Sequence, residues 1–96
     1  MTTLLVLNMP PGLQEDFIDY LLSLECVRGF TSYKAMGHGE HEHLSVAEQV
    51  SGRRQRVQFE VLMDEAAVPQ LTQGLASEVG KDITYWQHPV NGIGRT

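Results

Sequence analysis

The chain has 96 residues, 42% of them apolar and 20% charged, with a formal net charge of -5 at pH 7. That size suits one domain and excludes a second, and the composition suits a packed core and excludes disorder throughout. The acidic balance argues against a protein that grips nucleic acid, which needs a basic face.

Met1 to Asn8 has neither the cationic start of a signal peptide nor the apolar length of a membrane span, so a cytoplasmic chain with no membrane insertion is expected. Residues 2–8 predict a first strand. Leu4, Leu5, Val6 and Leu7 are apolar on both of its faces, which suits a central strand covered on two sides. Asn8, Pro10, Pro11 and Gly12 end it. A helix is predicted from Leu13 to about Glu25, because Leu13, Phe17, Tyr20, Leu21 and Leu24 recur at helical spacing, with Ile18 and Leu22 widening the stripe. Glu15 and Asp16 fall in its first turn, where the helix dipole favours acids. Cys26, the single cysteine, can form no intrachain disulfide, and a small buried apolar role is expected for it.

A second strand is predicted from Gly29 to Met36. A third runs from about Gln55 to Met63, where Val57, Phe59, Val61 and Met63 alternate with Gln58, Glu60 and Leu62. Asp64 to Val79 reads as the second helix, with Asp64 as N-cap, Pro69 near the first turn and Gly80 at the C-terminal cap. Ile83 to His88 is the fourth strand, stopped by Pro89. Tyr85 and Trp86 point to opposite faces, one to the core and one to a subunit contact, and His88 is expected to be packed or hydrogen-bonded. The order β-α-β-β-α-β, with right-handed crossovers, is the ferredoxin-like arrangement. It is an α+β fold: a four-stranded antiparallel sheet with two helices on one face. The other face of the first strand is then left for a second subunit to cover, so a homo-oligomer is expected.

Between the middle strands lies a long loop, about residues 37–54, expected to be mobile. It holds His38, His41 and His43 within six residues, with Glu40 and Glu42 between them. Neutral imidazole is a ligand for Zn, Cu, Co and Ni ions, and in an extended backbone His41 and His43 point to one side. Three readings fit, the first two being an exposed, exchangeable Zn or Cu site and a solvated polar connection whose histidines bind metal only adventitiously. A pH-sensing role is the third. The sequence has no nucleophile elbow, Walker loop or His-Glu-x-x-His helix, so no enzyme is expected.

The run Gly29-Phe-Thr-Ser-Tyr-Lys-Ala-Met-Gly-His-Gly39 resembles the Gly-Met-Thr strand of the PII signal-transduction proteins, which leads to a Gly-x-Gly at the base of their long T-loop. Val57-Gln-Phe-Glu-Val61 is similar to the strand returning from that loop. Gly80-Lys81 and the terminal Gly-Arg95-Thr96 resemble the starts of the family's phosphate-binding B-loop and C-terminal loop. The resemblance covers most of the chain. It points to a small uncharacterised PII-like group associated with heavy-metal efflux, with CutA-like trimers as relatives linked to divalent-metal tolerance.

The resemblance implies a homotrimer with effector clefts between subunits, lined by Gly37, Gly39, Gly80, Lys81 and Arg95. Its loop would contact a partner such as a membrane transporter or another regulated protein. The family's B-loop continues as Gly-Asp-Gly-Lys, whereas here Lys81 is followed directly by Asp82 and the last strand. Ile93 also stands at one of two C-terminal arginine positions. ATP binding in the family's usual manner is therefore not expected. The leading expectation is a PII-like regulatory protein, and the alternative is a metal-binding accessory or sensor in heavy-metal homeostasis.

Overall fold

The computed structural model describes residues 1–39 and 54–96. Residues 40–53 of the expected loop, His41 and His43 among them, lie outside the described residues. The sheet comprises β1 (Thr2–Met9), β2 (Thr31–Gly37), β3 (Arg54–Asp64) and β4 (Thr84–Pro89) in the order β2-β3-β1-β4. Every neighbouring pair is antiparallel. The helical segments are a 3-10 turn at Pro11–Leu13, α1 (Gln14–Leu22), a second 3-10 turn at Glu65–Ala67, α2 (Val68–Thr72) and α3 (Leu75–Glu78). This is the ferredoxin-like α+β fold, with β1 and β3 in the middle of the sheet, as the doubly apolar run in β1 requires.

Strand alternation divides the sheet into two faces. Leu5, Leu7 and Met9 of β1 and Val57, Phe59, Val61 and Met63 of β3 are buried against Phe17 and Leu21 of α1 and Val68, Leu71, Leu75 and Val79. The rings of Phe17 and Phe59 meet edge to face, centroids 4.7 Å apart. Register places Leu4, Val6 and Asn8 on the opposite face, beside Leu62, Glu60 and Gln58 of β3 and His88, Trp86 and Thr84 of β4. The helices leave that face open. Leu62, Tyr33 and Trp86 on it are 47%, 43% and 39% exposed.

Several sequence expectations need correction. The second helix is not continuous: it breaks between Thr72 and Leu75. There the hydroxyl of Tyr20 donates to the carbonyl of Leu71, and a Cβ at Gly74 would collide with that hydroxyl. A regular helix would offer the Leu71 carbonyl to residue 75 instead. Asp64 does cap the segment, accepting from the Ala66 amide. Gly80 closes it with φ +154 and a hydrogen bond to the Leu75 carbonyl.

The first helix is shorter than predicted. It ends at Leu22 because the Ser23 side chain takes the Tyr20 carbonyl. Leu22 is 71% exposed rather than part of the buried stripe, while Ile18, Leu24 and Cys26 pack partly on the core. β4 ends at Pro89, which is its last residue, opposite Thr3, as an edge strand permits. His88 is exposed on the open face rather than packed. Tyr85 and Trp86 do alternate, but both are exposed because β4 is an edge strand.

Candidate functional site

One end of the sheet gathers the segments on which four of the five expected effector residues fall. β2 leaves the sheet at Gly37, paired with Arg54 at the start of β3. Asn8 near the end of β1 pairs with Thr84 at the start of β4. Gly37, His38, Arg54, Asn8, Thr84 and Trp86 together line a cleft of about 210 Å³ on the open face. A Cβ at Gly37 would make an ordinary contact with the Arg56 side chain, at 3.5 Å. Gly39 turns the chain away with φ +100.

Beside this cleft lies a group of polar side chains that the composition does not announce. Arg56 is 2% exposed. It occupies the open-face position between Arg54 and Gln58, and its aliphatic stem allows burial there. Its guanidinium reaches across the end of β1: Nε donates to the Asn8 side-chain oxygen, and Nη2 to the Asn8 carbonyl at 3.0 Å. The same group forks onto Asp82, with Nη1 on the carboxylate Oδ2 at 2.9 Å and Nη2 on the Asp82 carbonyl at 2.8 Å. Arg54 reaches the same Oδ2 at 3.4 Å. The ladder continues over the open face, where Asn8 donates to Gln58, Gln58 to the Tyr33 hydroxyl, and that hydroxyl to Glu60. Among the described residues no buried side-chain nitrogen or oxygen lacks a partner.

Asp82 has φ +66 and is the single non-glycine with a left-handed backbone among the described residues. Asp tolerates this region better than most side chains, and in this conformation its Oδ2 and its backbone carbonyl both face Arg56.

The expected effector residues divide between the two ends of the sheet. Gly37 and Gly39 belong to the cleft end. Gly80 and Lys81 lead into Asp82 there, although Gly80 itself packs on Leu13, where a Cβ would approach to 2.9 Å. Lys81 is exposed. Arg95 lies at the other end, in a groove of about 730 Å³ with Thr2, Cys26, Arg28, Leu62 and Ile93. The eight residues of β1 separate the two ends by roughly 25 Å at about 3.3 Å each. One chain therefore does not bring Arg95 to the other four.

Of the three candidate metal ligands, His38 lines the cleft, and His41 and His43 lie outside the described residues. Among the described residues no three His, Cys, Asp or Glu side chains come together to hold a metal.

The whole chain, residues 1–96, matches a family described as a protein of unknown function, DUF3240. The chain belongs to the DUF3240 family. No curated protein matches it. Among solved structures, a DUF3240 protein of Shewanella baltica is similar, with 25% identity over 99% of this chain and 96% of that one and a TM-score of 0.81. The periplasmic divalent cation tolerance protein CutA of Archaeoglobus fulgidus shares the fold at 8% identity, with a TM-score of 0.76 and coverage of 99% and 89%. A PII-like signalling protein of Thermus thermophilus shares it at 18% identity, with a TM-score of 0.64 and coverage of 91% and 84%. The expected PII-like and CutA-like kinship of this DUF3240 chain therefore holds at the level of fold. Among the described residues no helix is long and apolar enough to cross a membrane.

The sequence reading missed Arg56, Asp82, Asn8 and Trp86 as parts of this end of the sheet. An available signal was an arginine at an alternating position of a strand whose neighbours Val57 and Phe59 are core. That position places the arginine on the sheet face opposite the core, at the end where the short turn carries Asp82.

Proposed function

We propose that this DUF3240 chain is a cytoplasmic PII-like regulatory protein. It binds a small effector between the subunits of a homotrimer and contacts a partner, such as a transporter, through the segment that follows Gly37. The observation that carries this reading is the convergence of Gly37, His38, Arg54 and Trp86 on one cleft beside the Gly80–Asp82 turn. Arg95 at the far end of the sheet supports a cleft shared between subunits, with a neighbour supplying the arginine. The open sheet face, with Leu4, Val6, Leu62 and Trp86 on it, supports assembly through that face. Effector binding would favour one arrangement of the partner-contacting segment over others. The truncated turn after Lys81 leaves no run of glycines to cradle a triphosphate, so ATP is not the effector in the PII manner.

The test is light scattering at micromolar concentration, followed by thermal-shift measurements with nucleotides and metal ions on the same sample. A stable monomer would overturn the shared cleft, and a trimer whose melting responds to a small ligand supports it.

The second reading is a metal-binding accessory or sensor protein. His38 at the cleft supports it, with His41 and His43 close behind in sequence and the fold shared with a divalent cation tolerance protein. Zn or Cu would then be the ligand, held by His38, His41 and His43.

A further inference from the structure

We propose that Arg54 and Arg56 form a small-oxyanion site that the chain fills with its own Asp82, so that a dianion enters only when the Gly80–Asp82 turn withdraws. The inference does not depend on the subunit cleft, because every group in it belongs to one chain. Arg56 presents two parallel donors to Asp82: Nη1 meets carboxylate Oδ2 at 2.9 Å and Nη2 meets the backbone carbonyl at 2.8 Å. Two oxygens of one residue thus stand where two oxygens of a phosphate or dicarboxylate would stand on a guanidinium fork. Two further N–H groups of Arg56, on Nε and Nη2, are held by Asn8, so the fork keeps its aim when Asp82 leaves.

Charge and shape agree with this. Among the described residues two guanidinium groups face one carboxylate, and both meet the same oxygen. A dianion would match that pair of charges more closely than the single carboxylate of Asp82 does. Asp82 is the exposed partner, its side chain 35% accessible against 1% for Arg56. It therefore releases to solvent more readily than the arginine does. Its left-handed backbone, φ +66, is strained in a residue with a Cβ, and departure relieves it. The adjoining cleft, with Arg54 in its wall, gives an anion a way in.

The experiment uses the full chain, with inorganic phosphate and succinate as separate probes. Binding is read by calorimetry and by the fluorescence of Trp86, the single tryptophan, which lines the cleft. Asp82→Asn keeps an acceptor but removes the competing charge. It is expected to bind at least one probe about tenfold or more tightly than wild type, the scale of one charged hydrogen bond. Arg54→Gln in that background should cancel the gain, and the probe that responds identifies phosphate or carboxylate chemistry. A folded Asp82→Asn that binds neither probe more tightly than wild type overturns the proposal. So does a gain that survives Arg54→Gln, which marks an adventitious ion only. Should Asp82→Asn fail to fold, Asp82→Gly carries the same test, since glycine takes positive φ freely. Failure of both to fold makes Asp82 an indispensable structural counter-charge and also overturns the proposal. Failure of the trimer reading shows in light scattering and leaves these titrations unaffected.

Discussion

The hydroxyl of Tyr20 donates to the carbonyl of Leu71 at 2.6 Å, directly over Gly74, where no Cβ intervenes. This contact ties α1 to the second helical region and sets the break between α2 and α3. In an ordinary helix Gly→Ala stabilises by about 1 kcal/mol. Here the added methyl would run into the Tyr20 ring and hydroxyl, and overpacking typically costs about 1–3 kcal/mol. Gly74→Ala is therefore expected to lower stability in urea unfolding. Tyr20→Phe should lower it by about 1–3 kcal/mol by leaving a carbonyl short of its donor. A Gly74→Ala variant more stable than wild type would show that helix propensity outweighs this contact. Burial also raises the Tyr20 hydroxyl pKa above its ordinary value. The stability tied to its neutral form is thus present below about pH 10 and is lost as pH rises through the raised folded value.

That contact also shows where sequence reading stops. β1 was legible as a central strand because Leu4, Leu5, Val6 and Leu7 are apolar on both faces, and β3 because Val57, Phe59, Val61 and Met63 alternate. Both signals are local. The helix break depends on Tyr20 meeting Leu71, 51 residues away, and the window from Asp64 to Val79 contains no trace of Tyr20. The site divides the same way. Gly37 and His38 were found from a strand running into glycine. Arg56 and Asp82 are 26 residues apart, so the alternation around Arg56 carries no trace of its partner.

Arg56 and Asp82 are expected to differ sharply in the cost of removal. Arg56→Ala deletes a buried stem and strips donors from Asn8 and Asp82 together. Breaking a buried pair costs about 3–5 kcal/mol, and the lower end applies because Asp82 is partly solvated. Asp82→Asn keeps the backbone carbonyl and a side-chain oxygen on the guanidinium and should cost about 1 kcal/mol. Denaturant midpoints of the two variants check this. Equal losses would mean that the Arg56 contacts to Asn8 contribute little.

Asp64 offers an acid-side test. Its carboxyl is held below the ordinary value of 3.8, first by the Ala66 amide it accepts from and then by the N-terminal ammonium. A depressed carboxylate contributes stability that is present above its unfolded pKa and is lost as pH falls through the folded value. The group is exposed, so the effect is small. Wild type should lose melting temperature between about pH 4 and about pH 2 more steeply than Asp64→Asn, which cannot titrate. Parallel acid limbs would show that the cap does not act through its charge.

The histidines give the test that separates the two functional readings. His38 lines the cleft, so a metal bound by it together with His41 and His43 would tie the following segment to the cleft wall. Imidazole coordinates only when neutral. Zn uptake should therefore be measurable at about pH 7.5 and weak at about pH 5.5, on either side of an ordinary histidine pKa near 6.5. The change of His38, His41 and His43 to alanine should abolish the uptake at the higher pH. His88, exposed on the open face of β4, remains in that variant and serves as the internal control for adventitious binding. Equal Zn uptake by wild type and the triple variant would remove the metal reading, leaving this segment as the contact for a protein partner and the cleft beside Arg54 as the place of the effector.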